Sequence, residues 1–151
     1  MSEPVRIPVD ILVAEDDDDD YGFVVTSFKE AQCPNAISRA KDGEELMALL
    51  QERIKKTGKG TPHSLVILLD LNMPRKDGRE ALKEIRANPV LRRIPVIILT
   101  TSRSDEDIIR SYDLGVNCFI RKPASFEGFV EIMNRMKKFW FELVEIPAFE
   151  S

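Results

Sequence analysis

The stretch Leu65-Val66-Ile67-Leu68-Leu69-Asp70-Leu71-Asn72-Met73-Pro74-Arg75-Lys76-Asp77-Gly78 decides how this chain is read. Its opening apolar run suits a strand buried on both faces, as in a parallel sheet. Asp70 closes that run, and a carboxylate in such a place is costly unless it is paired or used. Partners of the right kind end two other apolar runs: Glu15-Asp16 follows Ile11-Leu12-Val13-Ala14, and Thr100 follows Val96-Ile97-Ile98-Leu99. Three strands therefore deliver polar groups to one edge.

Working outward, apolar runs at 10–14, 65–69, 96–99 and 118–120, with a weaker β-like stretch at 36–40, alternate with segments of helical period. Helices are predicted over 19–32, 44–56, 79–87, 105–114 and 125–144, with stops at Pro34, Gly58, Pro89 and Gly115. Strand then helix, repeated five times, predicts an α/β domain with a doubly wound, five-stranded parallel sheet covered on both faces. Right-handed crossovers in an open sheet place functional groups outside the carboxyl ends of the strands, where the strand order reverses. Glu15, Asp16, Asp70, Thr100 and Lys122 all fall there. The polar, Gly-containing stretch 55–61 reads as an exposed connection between the second helix and the third strand. Asp16 to Asp20 is a run of five aspartates that cannot all be ligands. Most of them suit solvent or the positive end of the first helix dipole.

A length of 151 residues allows one core and falls short of two domains. The net charge of −4, with 22 basic and 26 acidic residues, comes without a dense Lys/Arg cluster, which argues against direct nucleic-acid binding. Cys33 and Cys118 lie too far apart in sequence for a zinc or redox pair, and a reducing cytoplasm suits them. The amino terminus lacks a basic-then-apolar leader, and no apolar run approaches the roughly 20 residues of a membrane span, so a soluble cytoplasmic protein without a membrane role is expected.

Glu15, Asp16 and Asp70 should converge on one small pocket, where mutual repulsion raises their pKa values unless a cation intervenes. A hard divalent cation answers that need. Mg²⁺ takes oxygen ligands, so Asp16 and Asp70 with a backbone carbonyl from the following loop suffice, and Glu15 can act through water. A carboxylate beside such an ion can attack phosphorus in line, and Asp70 is placed to be that nucleophile. Lys122, directly before Pro123, offers a second cation for a phosphoryl group. Thr100 offers a hydroxyl donor, with Thr101 as its rival.

Taken together, Ile11-Leu12-Val13-Ala14-Glu15-Asp16-Asp17, Leu69 through Gly78, Pro95 through Thr100, and Lys122-Pro123 resemble a two-component response-regulator receiver domain. The likeness spans nearly the whole chain. It implies a (βα)₅ flavodoxin-like fold in which Asp70 accepts phosphate from a histidine kinase. It further implies that Glu15, Asp16, Asp70 and the Asn72 backbone carbonyl hold Mg²⁺, and that Thr100 and Lys122 sense the phosphoryl group. The family's switch aromatic falls on Phe119, without the hydroxyl of a tyrosine, and its Lys-Pro peptide is usually cis, which would re-aim Lys122 toward the pocket. By the same resemblance, the residues two beyond Asp70 and Thr100, here Asn72 and Ser102, tune the lifetime of the aspartyl phosphate.

A single receiver domain over 1–151 is expected, with its core at about 8–137 and a carboxyl-terminal helix and aromatic tail at about 138–151. On this expectation the chain is a stand-alone receiver, not an enzyme beyond its own phosphorylation and slow dephosphorylation. The Leu-Leu-Asp-Leu-Asn-Met-Pro context, the long 55–63 loop and the aromatic carboxyl end resemble the single-domain regulators paired with phytochrome histidine kinases. Draining phosphate from its kinase, or serving another kinase, is the alternative role. An aspartate-nucleophile phosphohydrolase is the rival of a different class, but it needs an acid/base aspartate where Asn72 stands. A flavin-binding module would want a phosphate-binding loop where Asp17 to Asp20 repel phosphate.

Phe126, Phe129, Val130, Met133, Met136, Trp140 and Val144 form a helical stripe expected to bury against the sheet. Phe139, Trp140 and Phe141 are consecutive, and at about 100° per residue they cannot all face it. Ile132, Phe139, Trp140, Phe141 and Leu143 are therefore expected to form a homodimer interface, with kinase contact or folding of the tail onto its own domain as the other uses of that surface. His63 is the only histidine, in a Thr-Pro-His-Ser loop, and no role is assigned to it.

Overall fold

The structure is a computed structural model and describes residues 7–56 and 63–148. Five strands, β1 (Val9–Ala14), β2 (Ile37–Ala40), β3 (Ser64–Leu69), β4 (Val96–Thr100) and β5 (Cys118–Arg121), form one sheet of order β2-β1-β3-β4-β5. Every pairing is parallel. Five helices connect and close the strands: α1 (Asp18–Glu30), α2 (Gly43–Lys55), α3 (Gly78–Ala87), α4 (Asp105–Asp113) and α5 (Phe126–Met136). From β1 the chain winds outward to β2, then returns and winds the other way through β3, β4 and β5. The reversal lies between β1 and β3, and the crevice there opens at their carboxyl ends.

Strand alternation divides the apolar residues between two layers. Leu12, Leu65, Ile67, Leu69, Val96 and Ile98 point to one face, where Leu46 and Leu50 of α2 and Ala81, Leu82 and Ile85 of α3 cover them. Ile11, Val13, Val66, Leu68, Ile97 and Leu99 point to the other, under Val24 and Phe28 of α1 and Phe129, Met133 and Met136 of α5. Burial of each such large side chain contributes about 1.5–3 kcal/mol. Short polar side chains start the helices: Asp17, Asp42, Asp77 and Ser125 each accept from the amide three residues on, at 2.8–3.1 Å. The cap at Asp17 begins α1 at Asp18 rather than at Asp19.

The predicted fifth helix over 125–144 is corrected at its end. It is α-helical only to Met136 and continues as a π-helical segment, Lys137–Leu143. The wider turn swings Trp140 and Phe141 toward the layer shared with α1, and Phe141 lies 6.2 Å from Phe28, ring centre to ring centre. The tail then crosses beneath β3, where Ser64 Oγ donates to the carbonyls of Ile146 and Pro147 at 3.1 Å. Ile132 packs in the same layer, so three of the five residues expected at a dimer interface contact their own domain. Phe139 and Leu143 remain 47% and 67% exposed.

A 3-10 turn at Leu91–Arg93, not anticipated from sequence, leads into β4. Residues 57–62, most of the expected exposed loop, lie outside the described residues, as do 149–151 of the tail. Among the described residues no helix is long and apolar enough to cross a membrane.

Candidate phosphoacceptor and metal site

Glu15 and Asp16 follow directly on β1, Asp70 on β3 and Lys122 on β5, and Thr100 is the last residue of β4. The parallel register brings all five to the same sheet edge. Glu15, Asp16 and Asp70 each place a carboxylate oxygen within 4.8 Å of the others'. All the donors in this set are hard oxygens, which fits a divalent cation of the Mg²⁺ or Mn²⁺ type and not a soft metal. Glu15 and Asp70 are buried, whereas Asp16 is exposed toward the mouth.

Lys122 supplies the opposing charge. Its ammonium donates to Glu15, to Asp20 at 2.8 Å and to Asp70 Oδ2 at 3.1 Å. The amide of Asn72 donates to Asp70 Oδ1 at 3.3 Å, so both Asp70 oxygens hold a donor and the carboxylate is oriented. Burial, the largest influence, pushes the Glu15 carboxyl up to about 7; the bond from Lys122 opposes this and the Asp70 charge adds to it. Burial disfavours the charge on Lys122, but the bonds to Asp20 and Glu15 and the charge of Asp70 outweigh it and raise the Lys122 pKa.

The expected cis Lys122-Pro123 peptide is corrected: among the described residues no peptide bond is cis. Lys122 reaches the pocket without it. Its amide donates to the Thr100 carbonyl at 2.7 Å, prolonging the β4–β5 ladder, and its flexible four-carbon stem carries the ammonium inward.

Thr100 is fully buried and its hydroxyl oxygen accepts from the Ser102 amide at 3.3 Å, whereas Thr101 is exposed. Ser102 in turn donates to Asp107, which Arg79 of α3 also binds at 2.9 Å. Those two bonds hold the Asp107 carboxyl below its usual range, and they join the loop after β4 to α3 and α4. Phe119 of β5 is half-buried and packs on the α2–α3 side of the sheet.

Two glycines permit close approach. A Cβ on Gly78 would stand 2.3 Å from the Asp70 carbonyl oxygen, and one on Gly43 would stand 2.1 Å from that of Lys76. The Gly43 amide donates to that same Lys76 carbonyl at 2.9 Å, tying the loop after Asp70 to the start of α2. Within this loop Arg75 adopts φ +64°, a left-handed conformation that is uncommon for a non-glycine residue.

Sequence reasoning missed two contributors. Asp20 lay in an aspartate run that gave no means of choosing among its members, although a helix start at Asp17 would have placed it one turn in, facing the pocket. Arg39 of β2 carried no motif; it donates to the carbonyls of Glu15 at 3.0 Å and Asp16 at 3.3 Å, pairs with Asp18 at 2.8 Å, and lies over the Tyr21 ring. It thereby braces the loop after β1. His63 sits at the opposite end of the sheet, 3.1 Å from Asp10, which also binds Arg53. Cys33 donates to Asn35 at 3.0 Å, and neither cysteine is in a disulfide.

The family model described as response regulator receiver domain matches residues 11–134. Response regulator Rcp1 of Synechocystis sp. is 39% identical over 148 residues, covering 98% of this chain and 99% of that protein. The crystal structure of its Mn²⁺-bound form superimposes with a TM-score of 0.79 at 40% identity, covering 93% of this chain and 99% of that one. The crystal structure of the phosphorylated cyanobacterial phytochrome response regulator RcpA gives a TM-score of 0.81 at 37% identity, with the same coverage of 93% and 99%.

Proposed function

The chain belongs to the response regulator receiver domain family, and from that premise we propose that it is a stand-alone receiver that takes a phosphoryl group on Asp70 from a sensor histidine kinase. The observation that carries this is the Lys122 ammonium 3.1 Å from Asp70 Oδ2, inside a cluster of carboxylates. No other described arrangement offers an oriented nucleophile, a fixed cation and hard oxygen ligands together. A phytochrome-type kinase is the partner favoured, because the chain matches Rcp1 and a phytochrome response regulator over nearly their whole lengths. Serving as a phosphate drain for that kinase is compatible with the same chemistry.

Glu15, Asp16 and Asp70 would hold a divalent cation, taken as Mg²⁺, together with the Asn72 backbone carbonyl. Such an ion supplies charge neutralisation at the phosphoryl oxygens. Asp70 is the nucleophile, its carboxylate aimed by the Asn72 amide and Lys122. Lys122 neutralises charge that accumulates on the transferred group. Thr100, once its hydroxyl leaves the Ser102 amide, donates to a phosphoryl oxygen, and Phe119 moves into the space vacated beside β4. The face built by α4, β5 and α5 changes shape in consequence. Asn72 stands where a phosphohydrolase would keep its acid/base carboxylate, so we take the protein to be a signalling component without an enzymatic turnover of its own.

Intact-mass analysis after incubation with acetyl phosphate tests the proposal. A single phosphoryl adduct is expected on the wild type, dependent on Mg²⁺ and absent from Asp70→Asn. An adduct that survives in Asp70→Asn would assign the chemistry elsewhere.

A further inference from the structure

The three carboxylates at the sheet edge are not held alike. Glu15 accepts from Lys122 and from the Asp17 amide at 3.2 Å, and Asp70 accepts from Lys122 and from the Asn72 amide. Asp16 is exposed, and among the described residues no donor reaches its carboxylate. Its direction therefore depends on the main chain that carries it. The ladder that holds β1 gives out at this point: β2 ends at Ala40, whose carbonyl accepts from the Glu15 amide at 2.9 Å. Beyond that rung a side chain takes over. Arg39 Nε donates to the Glu15 carbonyl at 3.0 Å and Nη2 to the Asp16 carbonyl at 3.3 Å, a pair of bonds that suits the planar guanidinium fork.

We propose that Arg39 is a positioning residue for the divalent cation: it holds the peptide units on both sides of the Asp16 Cα and so aims the one carboxylate of the set that no donor orients. The proposal rests on the cation-binding role of Glu15, Asp16 and Asp70 given above. Peptide units are planar, so fixing the two that flank Asp16 fixes the direction of its Cβ and lowers the entropy lost when the carboxylate takes a cation. Arg39 is itself well placed to do this. Its side chain is 16% exposed, its guanidinium lies 4.5 Å from the centre of the Tyr21 ring, and Asp18 pairs with it at 2.8 Å. The Asp18 charge offsets that of the guanidinium, which would otherwise repel a cation. Arg39 binds main-chain oxygens in this loop, so a cation on the three carboxylates takes none of its partners, and the bracing applies to the empty and the occupied site alike.

The test reads Mn²⁺ binding to the full chain from the EPR signal of the free ion, at low and high KCl, and the Mg²⁺ dependence of phosphorylation by acetyl phosphate from intact mass. Wild type is compared with Arg39→Lys, Arg39→Gln and Lys41→Gln. Arg39→Lys keeps the charge but loses the fork, and its Kd for Mn²⁺ is expected to rise about 10-fold at both salt concentrations. The Mg²⁺ needed for half the maximal phosphorylation rate should rise by the same factor, and excess Mg²⁺ should restore the rate, which a general loosening of the fold would not allow. Arg39→Gln should bind Mn²⁺ more weakly than wild type at high salt, where its loss of charge is screened. Lys41 is exposed, and Lys41→Gln removes a nearby positive charge without touching those carbonyls, so it should show at most a tightening that salt erases. Unchanged or tighter Mn²⁺ binding by Arg39→Lys overturns the proposal, as does a rate that excess Mg²⁺ leaves low, or failure of both Arg39 variants to fold in urea melts with EDTA. The Mn²⁺ measurement decides the matter even where no adduct forms, an outcome that would overturn the role of Asp70 alone. A wild type that binds no Mn²⁺ would overturn the metal site, and this proposal with it.

Discussion

Glu15 shows most clearly how buried charge is balanced in the site. Three carboxylates, Glu15, Asp20 and Asp70, bind the ammonium of Lys122, and Asp16 lies beside Glu15 and Asp70. The Glu15 carboxyl is raised from 4.5 to about 7. The native protein then binds more protons at Glu15 than the unfolded chain does between those two values, so this residue's contribution to stability declines as pH rises through that window. In EDTA, thermal melts from about pH 5 to about pH 8 should show a falling Tm that Glu15→Gln flattens. Mg²⁺ favours the ionised carboxylate, so the Tm gain on adding it should grow over the same range. A gain independent of pH would remove Glu15 from the metal's surroundings.

At the scale of elements, what matters is how closely α3 approaches the end of β3. Gly78 opens α3 against the Asp70 carbonyl, and its amide donates to the Leu71 carbonyl at 2.9 Å. Gly78→Ala should cost more than about 2 kcal/mol, since backbone must shift to admit the methyl group, and should slow acceptance at Asp70. Gly22, in the exposed middle of α1, has nothing within 4 Å of an added Cβ. Gly22→Ala should therefore stabilise by about 0.5–1 kcal/mol and leave the phosphorylation rate unchanged. Urea melts of the two variants separate the effects: destabilisation by both would mean that the contacts around α1 are misjudged. Where the helices begin was legible to within a residue: starts expected at 19, 44, 79, 105 and 125 are found at Asp18, Gly43, Gly78, Asp105 and Phe126. The π-helical continuation of α5 was not, since a helical apolar stripe reads alike in either register until packing against Phe28 selects one.

For the whole molecule the open question is what covers Phe139 and Leu143. Each is a large apolar side chain at the surface, and full burial of such a chain contributes about 1.5–3 kcal/mol before association costs. With Ile132, Trp140 and Phe141 engaged in their own domain, the homodimer expected from the sequence would have only Phe139 and Leu143 of its five residues free to bury. Sedimentation equilibrium should show reversible, concentration-dependent dimers in the wild type. Phe139→Ser with Leu143→Ser should shift the balance to monomer while changing stability by less than about 1 kcal/mol. A wild type that stays monomeric at all concentrations would leave those residues to a different partner.

Read alone, the sequence was enough to order five strands and five helices and to predict Glu15, Asp16, Asp70, Thr100 and Lys122 at one edge. Apolar runs buried on both faces and right-handed crossovers leave few topologies, and a polar residue that ends such a run must emerge at the carboxyl side. Tertiary structure alone decided which aspartate of the run binds Lys122, that Lys122 reaches the pocket through a trans peptide, and how much of the aromatic tail is spent on its own core. It also decided that Arg86 of α3 binds the carbonyls of Gly115, Arg92 and Ile94, closing the far end of that layer. Contacts of this kind depend on side-chain reach between elements distant in sequence. Periodicity carries no record of that reach.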